Sequence, residues 1–391
     1  MVKALALQQM RTMRKEKNHQ VPVRCADVER FVYNVRIVPC LRRIKRTILA
    51  RLLLAAMSCF MLLHGARQSG PVQSGTVSSA GEIRNFEELI EARWFVVIET
   101  RAGLGNRLRA LATAAALAKH TGRELLVVWI PDPHADCVFS QLFETTGMYV
   151  SSTDVKPIFS RGGDTVFYDY DTNPGVMIES AARKHIYVRS GRVLNSTDIL
   201  WDDVIHFLQH DLRLKDLPDE LATRYSQIQT EIATTSHAVG VHIRMLTNLS
   251  NDIPGIETLP NTDTSAMYNM LSSVEHRRGC HVDYFITRMQ VMLQENSEYV
   301  FFAAVDSPEA RIKLKKAFGH KVRLVMGYNL ARYCEQDKIR QLFCLKVAMV
   351  EFKLLAHTSK LLLSEWSSAS ELVRMLARSD IETSCGCQQC I

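Results

Sequence analysis

From Trp94 onward the chain alternates short apolar runs with longer Ala/Leu-rich or amphipathic segments, and turn residues separate them. Trp94 to Thr100 reads as a buried strand. Asn106 to His120 reads as a helix with Thr121-Gly122 as its stop signal, and Leu125 to Ile130 as the next strand. Together they make one βαβ unit. Phe139 to Phe143 starts a short helix. From Val150 to about Leu217 the pattern is weak, with short strands expected at Thr165 to Tyr168 and His185 to Val188. The second half is more regular. Strands are expected at Ala238 to Ile243, Tyr299 to Val305, Lys321 to Val325 and Lys360 to Leu363. Helices are expected at Asp283 to Gln294, Glu309 to Phe318, Lys338 to His357 and Ala369 to Arg378. Such alternation predicts α/β architecture with parallel sheets covered on both faces, as two Rossmann-like halves facing one cleft.

The segment before Trp94 has a different character. Residues 1–51 carry 13 Lys/Arg against Glu16, Asp27 and Glu29, so the rest of this +7 chain is slightly acidic. A near-neutral body argues against nucleic acid as a partner. Leu52 to Leu63 is uninterrupted by charge, and Ile48 to Ala66 approaches the length that spans a bilayer. With Arg42, Arg43, Lys45 and Arg46 just before it, the run predicts a single-pass anchor with a cytosolic N-terminus and a lumenal body. A cleaved signal peptide, a mitochondrial presequence and a buried helix are the alternatives. The expected domains are a basic tail (1–47), an anchor helix (48–66), a stem (67–92), a first Rossmann-like domain (93–225) and a second (226–391). The ER or Golgi membrane is the expected location, with mitochondrial or secreted as the alternative. Seven of the ten cysteines lie in the body, and Asn195 and Asn248 begin glycosylation sequons. Both features suit an oxidising lumen. Cys385, Cys387 and Cys390 read as disulfide partners rather than a metal clip, because three close thiolates lack a fourth local ligand.

Candidate chemistry collects just past strand ends, where open α/β sheets bind ligands. Gly103-Leu104-Gly105-Asn106-Arg107-Leu108-Arg109 sits where a strand becomes a helix, so backbone N–H groups can hold an anion there. Arg244 can grip a phosphate bidentately, and His242 shares its side of the strand. Asp306 ends an apolar strand and either binds a base or ribose or caps the next helix. Ser367, Ser368 and Ser370 open a helix, with Ser368 and Glu371 spaced as a capping box. Asp169-Tyr170-Asp171 could hold a metal, but Thr172-Asn173-Pro174-Gly175 follows, and a solvated turn is the simpler reading.

Four stretches in order, GLGNRLRAL from Gly103, VGVHIR from Val239, FFAAVDSPEA from Phe301 and LLLSEWSSASEL from Leu361, resemble the motifs of a fucosyltransferase superfamily. It includes the nodulation fucosyltransferase, the α1,6-fucosyltransferases and the protein O-fucosyltransferases. The Trp129 loop leading to Cys137 and Leu142-Phe143 is also similar to such relatives. The resemblance implies a GT-B fold, GDP-fucose as donor, a glycan or protein acceptor, inversion, and no metal or other cofactor. It implies that Arg244 holds the β-phosphate and supports departure of the leaving group. His242 would contact the donor sugar or diphosphate, Asp306 the nucleoside, and Ser367 and Ser368 the diphosphate. Gly103 and Gly105 would let the backbone approach the donor, while Asn106 and Arg107 face the fucose and acceptor, Asn106 being the second catalytic candidate beside Arg244. The chain departs from several relatives after Arg244, where Met245-Leu246-Thr247 follows. The base is therefore unassigned among Asp252, Asp263, His134 and Asp136. Another sugar-nucleotide donor, or a silent carbohydrate- or protein-binding relative, is the rival reading.

Overall fold

A computed structural model describes residues 88–180, 184–245, 279–334, 340–378 and 380–388. The expected anchor, the loop Asn248 to Asp263 and Cys390 lie outside them. Among the described residues no helix is long and apolar enough to cross a membrane.

The first half runs β1 (Phe95–Thr100), α1 (Leu104–Thr121), β2 (Glu124–Val128), α2 (Phe139–Leu142), β3 (Tyr149–Ser151), α3 (Lys156–Arg161), β4 (Thr165–Asp169) and β5 (His185–Ser190). Next come α4 (Trp201–His206), a π turn (Phe207–Asp211) and α5 (Asp219–Thr234). The second half holds β6 (Ala238–Ile243), α6 (Val282–Glu295), β7 (Val300–Val305), α7 (Pro308–Phe318), β8 (Val322–Leu324), α8 (Gly327–Tyr333), α9 (Leu342–Leu355), β9 (Lys360–Leu363), α10 (Ser368–Leu376) and β10 (Glu382–Cys385). All strand pairs are parallel, in two five-stranded sheets ordered β3-β2-β1-β5-β4 and β10-β9-β6-β7-β8. This is the expected pair of α/β halves, consistent with a GT-B-like fold. In each sheet the strand order reverses beside the half's first strand, at β1/β5 and at β6/β9. Those reversals open the crevices in which such sheets hold ligands.

Both central strands are buried along their whole length, so their sequences are apolar rather than alternating. Gly122 ends α1 at φ 64°, where its N–H meets the last carbonyls and a side chain would be strained. A continuous apolar core between the sheets joins Leu108 of α1 to Ile228 of α5, Phe352 of α9 and Leu372 of α10. Separate clusters cover the outer faces, around Phe95 and Tyr187 in one half and Phe285 and Phe301 in the other.

Beyond β3, α3, α4 and the π turn in the weakly patterned stretch, three further elements escaped the hydrophobic pattern. Helix α5 buries Leu221, Ile228 and Ile232 against that core, and Arg224 donates to the Leu324 and Val325 carbonyls. The expected domain join after residue 225 falls inside this helix. Helix α8 and strand β10 are short and depend on their neighbours. Strand β10 pairs with β9 and is followed by the Cys280–Cys387 disulfide. Helix α9 begins at Leu342 rather than near Lys338, beside a second disulfide, Cys334–Cys344. Cys385 is also disulfide-bonded, and Cys137 is a buried free thiol. Asn195 of the first sequon is exposed and donates to the Gly175 carbonyl. Asp169 accepts from the Asp171 and Asn173 N–H groups, closing the expected turn, and both acids face Arg189.

The Cys280–Cys387 bridge spans 107 residues of chain. A closure of that length constrains the unfolded state by about 5 kcal/mol. Cys387→Ser should therefore lower stability by roughly that amount in urea denaturation under oxidising conditions. An unchanged midpoint would remove the bridge from the list of stabilising features.

Candidate active site

The two halves meet backbone to backbone at Gly105. A Cβ there would lie 2.7 Å from the Ser368 carbonyl oxygen and 2.9 Å from the Ala369 nitrogen. Only glycine lets the start of α1 sit this close to the start of α10. Arg109, one turn on, pairs with Glu371 across the same contact and donates to the Asn106 side-chain oxygen at 2.8 Å. Burial, then Arg192 and Arg374, brings the Arg109 guanidinium down to about 10. Beside this contact lies a cavity of about 340 Å³, lined by residues of both halves. Gly103, Gly105, Asn106 and His134 come from the first half; His242, Arg244, Asp306, Glu351, Ser367 and Ser368 come from the second.

The second-half wall is built at the β6/β9 reversal. Arg244 follows β6, and its backbone N–H donates to Ser364 Oγ at 2.9 Å. Its guanidinium donates to Asp306 at 2.6 Å, and the other Asp306 oxygen accepts from the Met245 N–H at 3.0 Å. Asp306 thus orients the cation at the mouth of the reversal. It does not cap α7, because Ser307 does: Ser307 Oγ accepts from the Ala310 N–H. His242 lies buried one side-chain repeat earlier, with Nδ1 2.7 Å from Ser370 Oγ. Burial and then Arg244 push its imidazole down to about 3, so it is neutral near pH 7 and can meet a donor only as a hydrogen-bonding group.

Helix α10 is capped differently from the expected box. Ser367 is the N-cap, accepting from the Ser370 N–H, and Ser368 is the first helical residue. Glu371 therefore sits one residue too late to close a box with Ser367, and it reaches Arg109 instead. The Ser367 oxygen is engaged as the cap, so its hydroxyl proton and the free N–H groups of the first turn are what the helix offers the cavity.

The reading of Arg107 requires correction. Its side chain is fully buried and is absent from the cavity wall. Nε donates to the Ala102 carbonyl at 2.8 Å, Nη1 donates to the Ile130 carbonyl at 3.1 Å, and Nη2 lies 2.6 Å from Asp132. The guanidinium stacks 4.7 Å over the Trp129 ring. A cation enclosed in this way cannot face a sugar. It ties the loop after β1 to the loop after β2. The tie matters because Ala102 holds φ 63° without being glycine, a conformation that costs about 1–2 kcal/mol. Trp366, after β9, is its counterpart at φ 55°. Strain therefore marks the loop at each sheet's reversal.

Glu351 went unnoticed in the sequence. It is the lone acid on helix α9, which otherwise carries only Lys346 and Lys353 among apolar residues, and it lies between buried Val350 and Phe352. That isolation was the signal available. Burial pushes its carboxyl up to about 8, with Arg311 opposing and nearby Asp306 adding to the shift. Near pH 7 it is neutral and can donate as well as accept. Arg340 also lines the cavity, and a Cβ on Gly103 would lie 3.2 Å from its Nη1. The Cys334–Cys344 disulfide borders the same space. Of the four bases considered, His134 lines the cavity, Asp136 is exposed outside its lining, and Asp252 and Asp263 lie outside the described residues.

No protein-family model matches the chain, and no curated protein matches it. Among solved structures it is similar to the fucosyltransferase NodZ from Bradyrhizobium, at 15% identity over 73% of this chain and 92% of that one, with a TM-score of 0.44. It is also similar to an Arabidopsis thaliana FUT1 variant in complex with GDP, at 13% identity, 85% and 79% coverage and a TM-score of 0.41. POFUT1 in complex with GDP-fucose matches at 11% identity, 75% and 97% coverage and a TM-score of 0.41. The chain is thus similar to a set of fucosyltransferase-like structures, while the chemistry of its site rests on its own residues.

Proposed function

We propose that this chain is a glycosyltransferase that moves fucose from GDP-fucose to a glycan or protein, with inversion and without a metal. One observation carries the transferase reading: a cation on β6 and the N-terminus of α10 converge on one cavity at a strand-order reversal. That combination suits a diphosphate. The donor's identity rests on the four ordered sequence motifs.

In this reading Arg244 meets the β-phosphate as the glycosidic bond breaks. Its orientation is already set by Asp306 and Ser364, so little reorganisation accompanies charge development. The free N–H groups of α10 and the Ser367 hydroxyl hold the remaining phosphate oxygens. A fixed guanidinium and a helix terminus supply the charge stabilisation that a divalent ion supplies in other transferases. Asn106 has its oxygen committed to Arg109, which leaves the amide NH2 to donate to the sugar from the opposite wall. The acceptor attacks from the face away from the diphosphate, which inverts the anomeric centre. His242 and Glu351, both neutral near pH 7, add hydrogen-bonding capacity without repelling the donor or drawing it off Arg244.

Calorimetry with GDP and UDP, joined to GDP-fucose transfer onto a glycan and peptide array with and without EDTA, tests the assignment. GDP should bind more tightly than UDP, and transfer should survive EDTA. UDP preference would sink the fucose donor, and loss of transfer in EDTA would return the chemistry to a metal. Arg244→Ala should cut turnover at least about 100-fold, the scale of one lost transition-state donor, with the fold retained by circular dichroism although unpairing Asp306 lowers the melting temperature; a few-fold effect would remove the phosphate role. Glu351 gives a pH signature. Its carboxyl stays protonated in the fold up to about 8, whereas the unfolded chain releases that proton near 4.5. Stability contributed by the protonated form is therefore lost as pH rises between those values. Melting temperatures of the wild type should fall across that window relative to Glu351→Gln, and parallel curves would contradict the raised carboxyl.

A further inference from the structure

We propose that His134 is the general base that takes the proton of the acceptor hydroxyl, and that buried Arg107 is its positioning residue. This rests on the donor reading above. His134 is exposed and lines, from the first half, the same cavity that Arg244 lines from the second. It sits at the tip of the loop from Ile130 to Cys137, and this loop is held at every few residues. Arg107 donates to the Ile130 carbonyl and pairs with Asp132 through one carboxylate oxygen. The other Asp132 oxygen accepts from the backbone N–H groups of His134 at 2.8 Å and Ala135 at 3.0 Å. Trp129, stacked under Arg107, donates its indole N–H to the Cys137 carbonyl at 3.0 Å. Finally the Asp136 N–H donates to the Arg340 carbonyl, which ties the loop to the second half. An exposed imidazole is thus presented by a rigid loop, one carboxylate away from a guanidinium that has no contact with solvent.

Imidazole is the side chain suited to accepting a proton near neutral pH. His242, the other histidine in the cavity, is enclosed and hydrogen-bonded to Ser370. The charged groups around His134 are Asp132 and Asp136 on its own loop, Arg340, whose carbonyl accepts from the Asp136 N–H, and Arg244, Asp306, Arg311 and Glu351, which line the same cavity. The acceptor O–H proton passes to the ring nitrogen of His134 while the acceptor oxygen bonds the anomeric carbon of fucose. The bond from that carbon to the β-phosphate oxygen breaks with its electron pair, and the departing GDP takes up the charge opposite Arg244. The imidazolium then releases its proton to solvent.

His134→Ala in the full chain tests the assignment. GDP release from GDP-fucose is followed with water as acceptor and with the glycan and peptide array. Turnover should fall by about 100-fold or more, with GDP affinity within twofold of wild type. The acid limb of the wild-type kcat/KM profile should disappear, and added imidazole should restore part of the rate. Arg107→Lys should lower kcat and also raise KM for GDP-fucose, because Arg107 holds both the His134 loop and the Ala102 turn, while its residual activity keeps the acid limb that His134→Ala loses. Wild-type-like turnover in His134→Ala, or a low rate with the acid limb intact and no imidazole rescue, overturns the base. A wild-type chain that binds no sugar nucleotide overturns the donor reading and the base with it, so the two failures are distinguishable.

Discussion

A guanidinium with no solvent contact must be compensated by acceptors and opposite charge, because stripping its water costs on the order of several kcal/mol. Arg107 is such a group: Nε and Nη1 reach carbonyls, and Nη2, without a hydrogen bond, is met by the charge of Asp132. Its partners are two backbone carbonyls, one carboxylate and one indole face, drawn from the ends of β1 and β2 and the loop beyond. Satisfying it fixes the strained turn at Ala102, the entry to α1, and the path of the loop from Ile130 to Cys137. Those three features form the first-half wall of the cavity. A side chain that resembled a sugar contact is in effect the keystone behind that wall.

The second half reaches the same cavity by a different device. There the rigid parts are strand ends and a helix start, held by short polar links: Ser364 to the Arg244 backbone, Asp306 to its guanidinium, Ser370 to His242. Each link uses a polar group that the apolar sheet would otherwise leave unpaired. The cation is therefore in place before any ligand arrives, while the helix N-terminus keeps its N–H groups open. At Gly105 the halves touch without intervening side chains, so the first-turn residues of α1 and α10 confront one another beside the cavity. The two helix starts approach this closely because one residue in that contact has no Cβ.

The βαβ unit around Gly103 and the strand ends at Arg244, Asp306 and Ser364 were legible in the sequence. Continuous apolar runs ending in polar residues have one physical meaning in a parallel sheet: both faces are covered and the chemistry is pushed to the carboxyl edge. Helix α5 was legible in principle, since Leu221, Ile228 and Ile232 follow a helical period after Pro218, but the apolar stripe is narrow and diluted by polar residues. The true cap of α10 was ambiguous, because three serines in four positions all satisfy the local rule and only the helix start chooses among them.

The chain by itself determined the parallel α/β architecture, the order of its strong elements and the residues that stand at the strand ends. Those follow from local periodicity and from the expense of placing charge in an apolar strand. Which of those residues face the cavity was decided only by tertiary structure. Arg107 and Arg109 lie two positions apart on one helix, yet one is enclosed behind Ala102 and the other pairs with Glu371 from the far half. Glu351 is an unremarkable acid until burial beside Asp306 keeps it protonated. Side-chain solvation and partners more than 200 residues away are not encoded in local pattern, and they are what separates an enclosed arginine from one that lines the cavity.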